Sequence, residues 1–374
     1  MKNHATAWAK GLLKYGIGFG LLAWVISKYW DDKVIETDGV STTTPGLKSL
    51  LNGQIDYEWL AAATVLVAAA ISLQLFRWYV LVRAVELPFS LYNAFRLGMV
   101  GLFYNTFLPG SVGGDLVKAY FIAKAHPERK TRAVATVLID RAMGLFGLIL
   151  FVAVVGGAAW GLGDPIISGN TKLQGMVKWT AAIAGGSALG FLLLGLLPQR
   201  RVDRFAGRLK WVPKVGGSLA ELWYAVWMYR QRLGAVALGL AVTALSHVCL
   251  VGAFHCAAKL FPPADPSQLA TFPEHAVLAP VGFIVQAIPI APGGVGVGEA
   301  AFAGLYKFAG RPETRGVVAR LSLRIAEWLL GLIGYIIYLR MKAHHELPTE
   351  EEVEAEAEAP PEDATGPPAA KTAT

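Results

Sequence analysis

Charge is scarce in this chain. Asp, Glu, Lys and Arg make up 16% of its 374 residues, and hydrophobic residues make up 54%. A soluble domain carries about 25% charged residues, so a chain this poor in charge is read as one whose solvent is partly lipid. Cysteine is nearly absent as well. Cys249 and Cys256 are the two present. They lie seven residues apart in one apolar segment, two helical turns from each other, which excludes a disulfide between them and leaves them as small apolar core residues. Enzyme signatures are also missing. There is no H-E-x-x-H and no G-x-S-x-G, and in Val112-Gly113-Gly114-Asp115 a valine stands where an intramembrane aspartyl protease motif needs its first glycine. His247 and His255 share a segment with the two cysteines but point around different sides of one helix, so the four cannot converge on a metal. His247 facing a cavity would serve as a proton carrier. The expectation is a protein that is not an enzyme, with no cofactor, no metal site and no nucleic-acid partner.

What the chain does have is long apolar runs. A helix needs about 20 apolar residues to cross a bilayer, and residues 12–29, 58–82, 133–157, 177–197, 234–258 and 316–339 qualify. The first follows a basic start (Lys2, Lys10, Lys14) but runs into Ser27-Lys28-Tyr29-Trp30 without a small-x-small cleavage site, so it is expected to be a retained helix. The expected fold is an all-α polytopic membrane protein of about six full spans. Lys and Arg concentrate in cytoplasmic loops. Residues 118–132 hold five basic residues and one acid, and residues 198–232 hold eight and two, whereas residues 30–58 hold six acids and two lysines. The first two are expected inside and the third outside. With Arg340 and Lys342 after the last span, both termini are expected in the cytoplasm, in the cell's inner (cytoplasmic) membrane. Residues 1–345 form the expected transmembrane domain. Residues 346–374, with nine acids and one lysine, bury too little apolar surface to offset ordering entropy and are expected to be a disordered tail. Residues 218–232 alternate aromatic and polar groups beside a basic loop, which reads as an interfacial amphipathic helix.

Two stretches break the apolar pattern. Around Asn105, Pro109, Gly110, Gly113 and Gly114 interrupt residues 94–124, and Asp115 follows. Around Pro289, Pro292, Gly293, Gly294, Gly296 and Gly298 the second break occupies residues 284–307, and Glu299 follows. The arms on either side are shorter than a span, and a crossing at 94–124 would violate the charge rule, so both are expected to be re-entrant hairpins. An offset of 183 residues sets Pro109 on Pro292, Gly110 on Gly293, Gly113 on Gly296 and Arg141 on Arg324, with the two acids one position out of step. Three full spans lie between the hairpins. An odd number puts them on opposite faces, and the result is an inverted-topology repeat like those that build binding sites in secondary transporters.

Irregular backbone at membrane depth must be buried in protein or face a watery cavity, so the two loops are expected to meet inside the bundle. Asp115 would cap a helix over 115–124, and Glu299 would do the same for its own helix. The free N–H groups there can receive a phosphate. Arg141 and Arg324 each lie about eight residues into an apolar helix, where a charge costs about 2.5–3.5 kcal/mol and needs a partner. They either hold an anionic lipid headgroup, since guanidinium matches phosphate with two parallel bonds, or form structural pairs with Asp115 and Glu299. Glu327, three residues after Arg324, is the expected same-face partner of that arginine. Arg77 lies close enough to its helix end to reach the interface.

Asn105-x-x-x-Pro109-Gly110-x-x-Gly113-Gly114-Asp115, followed by Pro292-Gly293-Gly294-Val295-Gly296-x-x-Glu299, resembles the transmembrane domain of bacterial lysylphosphatidylglycerol synthases, over residues 10–342. Asn105 joins the candidate residues through this motif. The resemblance implies a flippase-like domain that moves a phospholipid, an aminoacylated lipid or a polyprenyl-linked lipid between leaflets. The full synthases also carry a soluble aminoacyl-transferase domain. Here the acidic tail stands in that place, so synthesis of lysyl-lipid is not expected. Membrane lipids are the expected partners. The alternatives are a transporter of a soluble anion and an accessory subunit of a lipid- or glycan-modifying enzyme.

Overall fold

The computed structural model describes residues 2–37, 40–107, 113–195, 198–212, 216–263 and 265–343. The acidic tail therefore lies outside the described residues, and so do Pro109 and Gly110. Twelve longer helices carry the fold: α1 (Lys2–Lys28), α2 (Tyr57–Ala84), α3 (Leu91–Phe107), α4 (Gly113–Ala125), α5 (Lys130–Phe151), α6 (Thr171–Gly195), α7 (Gln199–Leu209), α8 (Gly216–Tyr229), α9 (Leu233–Lys259), α10 (Phe272–Gln286), α11 (Val297–Phe308) and α12 (Glu313–Ala343). Among the described residues, five helices are long and apolar enough to cross a membrane: Tyr57–Ala84, Pro127–Gly161, Thr171–Leu194, Leu233–Lys259 and Glu313–Ala343. The sixth expected stretch, 12–29, falls in α1, a helix of 27 residues. The chain is an all-α polytopic membrane protein. One small sheet interrupts the α pattern: Lys33–Thr37 pairs antiparallel with Val40–Thr44, in the loop expected outside. The run Val40-Ser41-Thr42-Thr43-Thr44, four of its five residues β-branched, suits a strand.

The two breaks separate short arms. Helices α3 and α4 have 17 and 13 residues, and α10 and α11 have 15 and 12. At 1.5 Å per residue these are about 18–26 Å long, short of the roughly 30 Å hydrocarbon core. Each pair folds back on itself as a hairpin, and the long helix that follows packs on the returning arm, α5 on α4 and α12 on α11. Each long helix also packs on the other hairpin's first arm, α12 on α3 and α5 on α10.

The helices that lead into the two hairpins, α2 and α9, make the most extensive helix pairing in the molecule. Their contacts run in opposite order. Arg77 meets Thr243, Ala70 accepts from Ser246, Leu66 lies beside Gly252 and Trp59 stacks with Lys259. The two repeat units thus run antiparallel, as an inverted repeat requires.

Helix α8, within which most of the expected interfacial stretch 218–232 falls, has exposed Leu219 and Tyr224 and a packed side as well. It packs on α7 and α5. Tyr229 is buried and donates to the Leu81 carbonyl at 2.7 Å, and Trp223 donates to the Val202 carbonyl at 3.2 Å. The strongly amphipathic partner α7 turns Val202 and Ala206 inward and leaves Arg200, Arg201, Arg204 and Arg208 outside. The turn between α2 and α3 is pinned to this basic side. Glu86, with φ 62°, pairs with Arg232, while its carbonyl accepts from Arg129 at 3.2 Å. The Arg232 guanidinium holds the Glu86 carboxyl below the usual carboxylate range.

Candidate functional site: where the two hairpins meet

The end of α3 touches the turn Pro292–Gly294. The position of a Cβ on Gly293 lies 3.1 Å from the Thr106 carbonyl oxygen and 3.6 Å from that of Asn105. Gly293 has φ 57° and Gly296 has φ 77°, the left-handed region that glycine enters without strain. Helix α1 lies over the end of α3 and the turn of the second hairpin. Its Gly18 lies against Ala291 and Val295, and Tyr15 donates to the Phe107 carbonyl. The end of the first arm and the turn of the second hairpin thus meet beneath α1, with Pro292, Gly294 and Val295 buried and residues 288–290 exposed.

On the first hairpin, the returning helix starts at Gly113 rather than at Asp115. Asp115 is therefore not its cap. The Asn105 side chain, reaching across from the first arm, accepts from the Gly114 N–H at 2.9 Å. That leaves the Asp115 carboxylate to take the Arg141 guanidinium, whose Nε donates at 2.7 Å. The Arg141 side chain is 42% exposed and Asp115 16%. The arms are close enough that a Cβ on Gly114 would overlap the Gly101 carbonyl oxygen.

On the second hairpin, the matching pair is buried. Glu299 accepts from the Gly296 N–H at 2.8 Å, so it reaches back to the start of its own helix as expected. Arg324 donates to both Glu299 oxygens and to the Gly293 and Gly294 carbonyls, at 2.9 and 3.0 Å. The exposures are 3% for Arg324 and 0% for Glu299. Glu327 is not the partner of Arg324, as helical spacing suggested. It pairs at 2.7 Å with Arg320, one turn earlier. Glu299 reaches Arg324 from the hairpin and takes the guanidinium that the local rule assigned to Glu327. Arg320 is fully buried, donates through Nε to Gln286 at 2.6 Å, and its Nη1 has no hydrogen-bond partner among the described residues.

The acid–arginine pair thus recurs in both halves, from an acid in the first turn of the returning arm to an arginine in the next long helix. Asn105 stands at the junction. Its side chain holds the Asp115 helix, and its backbone lies against Gly293, whose carbonyl holds Arg324.

Three further polar groups were not assigned to the site from sequence. Arg77 does not reach for the interface. It is buried, with Nε on Asp140 at 2.7 Å and Nη1 on Thr243 at 3.1 Å, and so ties α2, α5 and α9 together. Asp140 and Arg141, adjacent in sequence, face different ways and bind different partners, which is the helical spacing rule at work. At the outer end of the second hairpin, Glu274 closes a capping box with Thr271 and also binds Arg311 at 2.8 and 2.9 Å. Beside it His255 and His275 approach nitrogen to nitrogen at 2.7 Å, and His275 bonds Tyr306. His247 is buried, with its ring beside Gly147. No group of three or more His, Cys, Asp or Glu able to hold a metal occurs among the described residues.

A family model described as "Lysylphosphatidylglycerol synthase TM region" matches residues 13–334. The chain is also similar to two proteins called "UPF0104 membrane protein" from Methanothermobacter thermautotrophicus. One is 26% identical over 77% of this chain and 85% of its own length. The other is 23% identical over 75% and 84%. No solved structure matches.

Proposed function

This chain belongs to the family of the lysylphosphatidylglycerol synthase TM region, and from that membership we propose that it moves a phospholipid or a polyprenyl-linked lipid between leaflets without making or breaking covalent bonds. The observation that carries the reading is the acid–arginine pair repeated at the junction of two opposed hairpins. A lipid phosphate is the chemical equivalent of the carboxylate that each arginine now holds, and guanidinium binds either through parallel bonds. Arg141, being half exposed, can exchange Asp115 for a headgroup phosphate. Arg324 is closed off in the same conformation. Its carboxylate and carbonyl partners satisfy it, and Arg320 Nη1 beside it is a buried donor suited to an incoming anion.

Lipid transfer then consists of exposing the two pairs in turn. Opening at the first hairpin admits the headgroup to Arg141, and separation of the loop at Gly293 from Asn105 passes it to Arg324. The acyl chains stay in the bilayer. Leaving Arg324 unpaired at this depth would cost several kcal/mol, so the headgroup must replace Glu299 as it leaves rather than follow it. We place the Arg141 side towards the cytoplasm, because residues 118–132 and 198–232 are its basic neighbours in the chain. Two grooves, one lined by Arg96 and Arg340 beside apolar residues and the other almost wholly apolar, are open rather than enclosed, which suits a lipid better than a soluble anion.

The test is a vesicle assay with headgroup-labelled phospholipid and an impermeant quencher. Wild-type protein is expected to expose label from the inner leaflet that protein-free vesicles keep protected. Vesicles that instead take up phosphate with no lipid movement would replace lipid transfer by soluble-anion transport. Vesicles that do neither would defeat the proposal.

A further inference from the structure

Outside the paired loops, the seam between α3 and α12 opens into a groove of about 550 Å³ lined by Tyr92, Phe95, Arg96, Met99, Ile337, Arg340 and Met341. The α3 residues fall at i, i+3, i+4 and i+7, one face of that helix. Those of α12 fall at i, i+3 and i+4. The groove therefore has a layered chemistry. Its rim carries two guanidinium groups, Arg340 on the last exposed turn of α12 and Arg96 over the Tyr92 ring at 5.5 Å. Its floor is Phe95, Met99, Ile337 and Met341.

Phe95 also lines a second groove of about 530 Å³, shared with Ala69, Leu73, Phe76, Leu245 and Cys249. That trough is almost wholly apolar and opens to the side. Deeper along the same seam the groove meets an aromatic cluster, with Phe103 5.0 Å from Tyr335 and Tyr104 5.7 Å from Tyr338 by ring centroid. Below it, Thr106 and Phe107 lie against Gly331 and the loop of the second hairpin.

We propose that this seam is a docking site for an anionic phospholipid, with the phosphate between Arg96 and Arg340 and an acyl chain laid in the trough beyond Phe95. The two rim cations match one phosphodiester, since each guanidinium offers a planar fork of donors. The trough is what separates a lipid from a free anion: inorganic phosphate has nothing to place against Leu73, Phe76 and Leu245. Arg340 sits in the final turn of a membrane helix, and Arg96 is about 8 Å into α3 from Leu91, so both lie at headgroup level when the hairpin enters from that face. The site is a binding site whether or not lipid crosses the membrane. Its position at the head of the seam that runs to Thr106 and Gly293 makes it the loading point if lipid does cross, and that second statement rests on the function proposed above.

The experiment uses the full chain in vesicles of phosphatidylcholine with a trace of phosphatidylglycerol carrying a photoactivatable acyl chain. Adducts are mapped by mass spectrometry, with acyl-matched photoactivatable phosphatidylcholine as the comparison. The expected adducts lie on Phe95, Leu73 and Phe76. They fall about tenfold in the double variant Arg96→Gln/Arg340→Gln, in line with the loss of two arginine–anionic lipid contacts, and phosphatidylcholine adducts do not change. Met99→Trp, which fills the groove and keeps both arginines, is expected to lower the adducts as well, and it decides the matter if the double variant does not fold. Equal labelling by the two lipids, or labelling unmoved by both variants, would overturn the site. Competition by excess inorganic phosphate would overturn it in favour of a free-anion site. Adducts retained in Arg141→Ala protein that no longer moves lipid would uphold this groove and locate the translocation step at the hairpins. Adducts present with no lipid movement even in wild type would uphold the groove and defeat the transport reading alone.

Discussion

Arg141 and Arg324 occupy equivalent positions of the repeat and make the same kind of bond, but burial separates their roles. Arg324 satisfies Glu299 and two carbonyls in a site without solvent. Replacing it with alanine strands a buried carboxylate, and a buried pair broken on one side costs about 3–5 kcal/mol. Arg324→Ala is therefore expected to lower the thermal midpoint in detergent sharply. Arg324→Lys is expected to recover only part of it, because one ammonium cannot reach all four acceptors. Arg141→Ala removes a half-exposed pair, whose contribution is about 0–1 kcal/mol, and is expected to leave the midpoint nearly unchanged. Equal losses at the two sites, read by the same melting measurement, would contradict the division into a closed and an open pair. Glu327→Gln should behave as a change at Arg320, its partner, and leave the Arg324–Glu299 pair intact.

At the scale of the element, the hairpins depend on backbone approach more than on side-chain burial. Gly114 faces the Gly101 carbonyl with no room for a methyl group, so Gly114→Ala must part the arms of the first hairpin. Overpacking of this kind costs about 1–3 kcal/mol. Gly185 in α6 has nothing within 4 Å of an added Cβ, and Gly185→Ala is expected to be neutral within about 1 kcal/mol. A melting series over the two variants checks the contrast, which vanishes if the arms are not in contact. Much at this scale was legible in the sequence. Composition and apolar runs are enough to find the long helices, and the Pro-Gly break and the arginine recurring at one offset, with the acids one position out of step, mark the two hairpins and their pairs. What was not legible depends on partners distant in the chain. Helical spacing gives Glu327 to Arg324, but only the fold brings Glu299 to it. Arg77 reads as a residue near a helix end, and nothing local shows Asp140 and Thr243 waiting on other helices. The cap of α4 was misread for a similar reason, since Asn105 reaches its N-terminus from the opposite arm. The strand pair at 33–44 was missed although its β-branched run was visible.

For the whole molecule, the antiparallel pairing of α2 with α9 relates the halves by inversion, so the turns that follow the two hairpins must open on opposite faces. In a Cys249→Ala/Cys256→Ala background, Glu128→Cys, with an exposed side chain, and Lys307→Cys, 75% exposed, are expected to react with an impermeant reagent from opposite sides of oriented vesicles. Reaction from one side would break the inversion. Under the function proposed above, the inversion makes the acid–arginine pairs two gates of one path rather than two separate clamps. The most direct test of that path is the rate of headgroup-labelled phospholipid movement in vesicles holding Arg141→Ala protein with an unchanged melting midpoint, measured beside wild type. If the half-exposed arginine receives the headgroup, the rate falls about tenfold or more, the equivalent of about 1.4 kcal/mol of lost interaction. A folded variant that moves lipid at the wild-type rate would show that the headgroup does not pass through this pair.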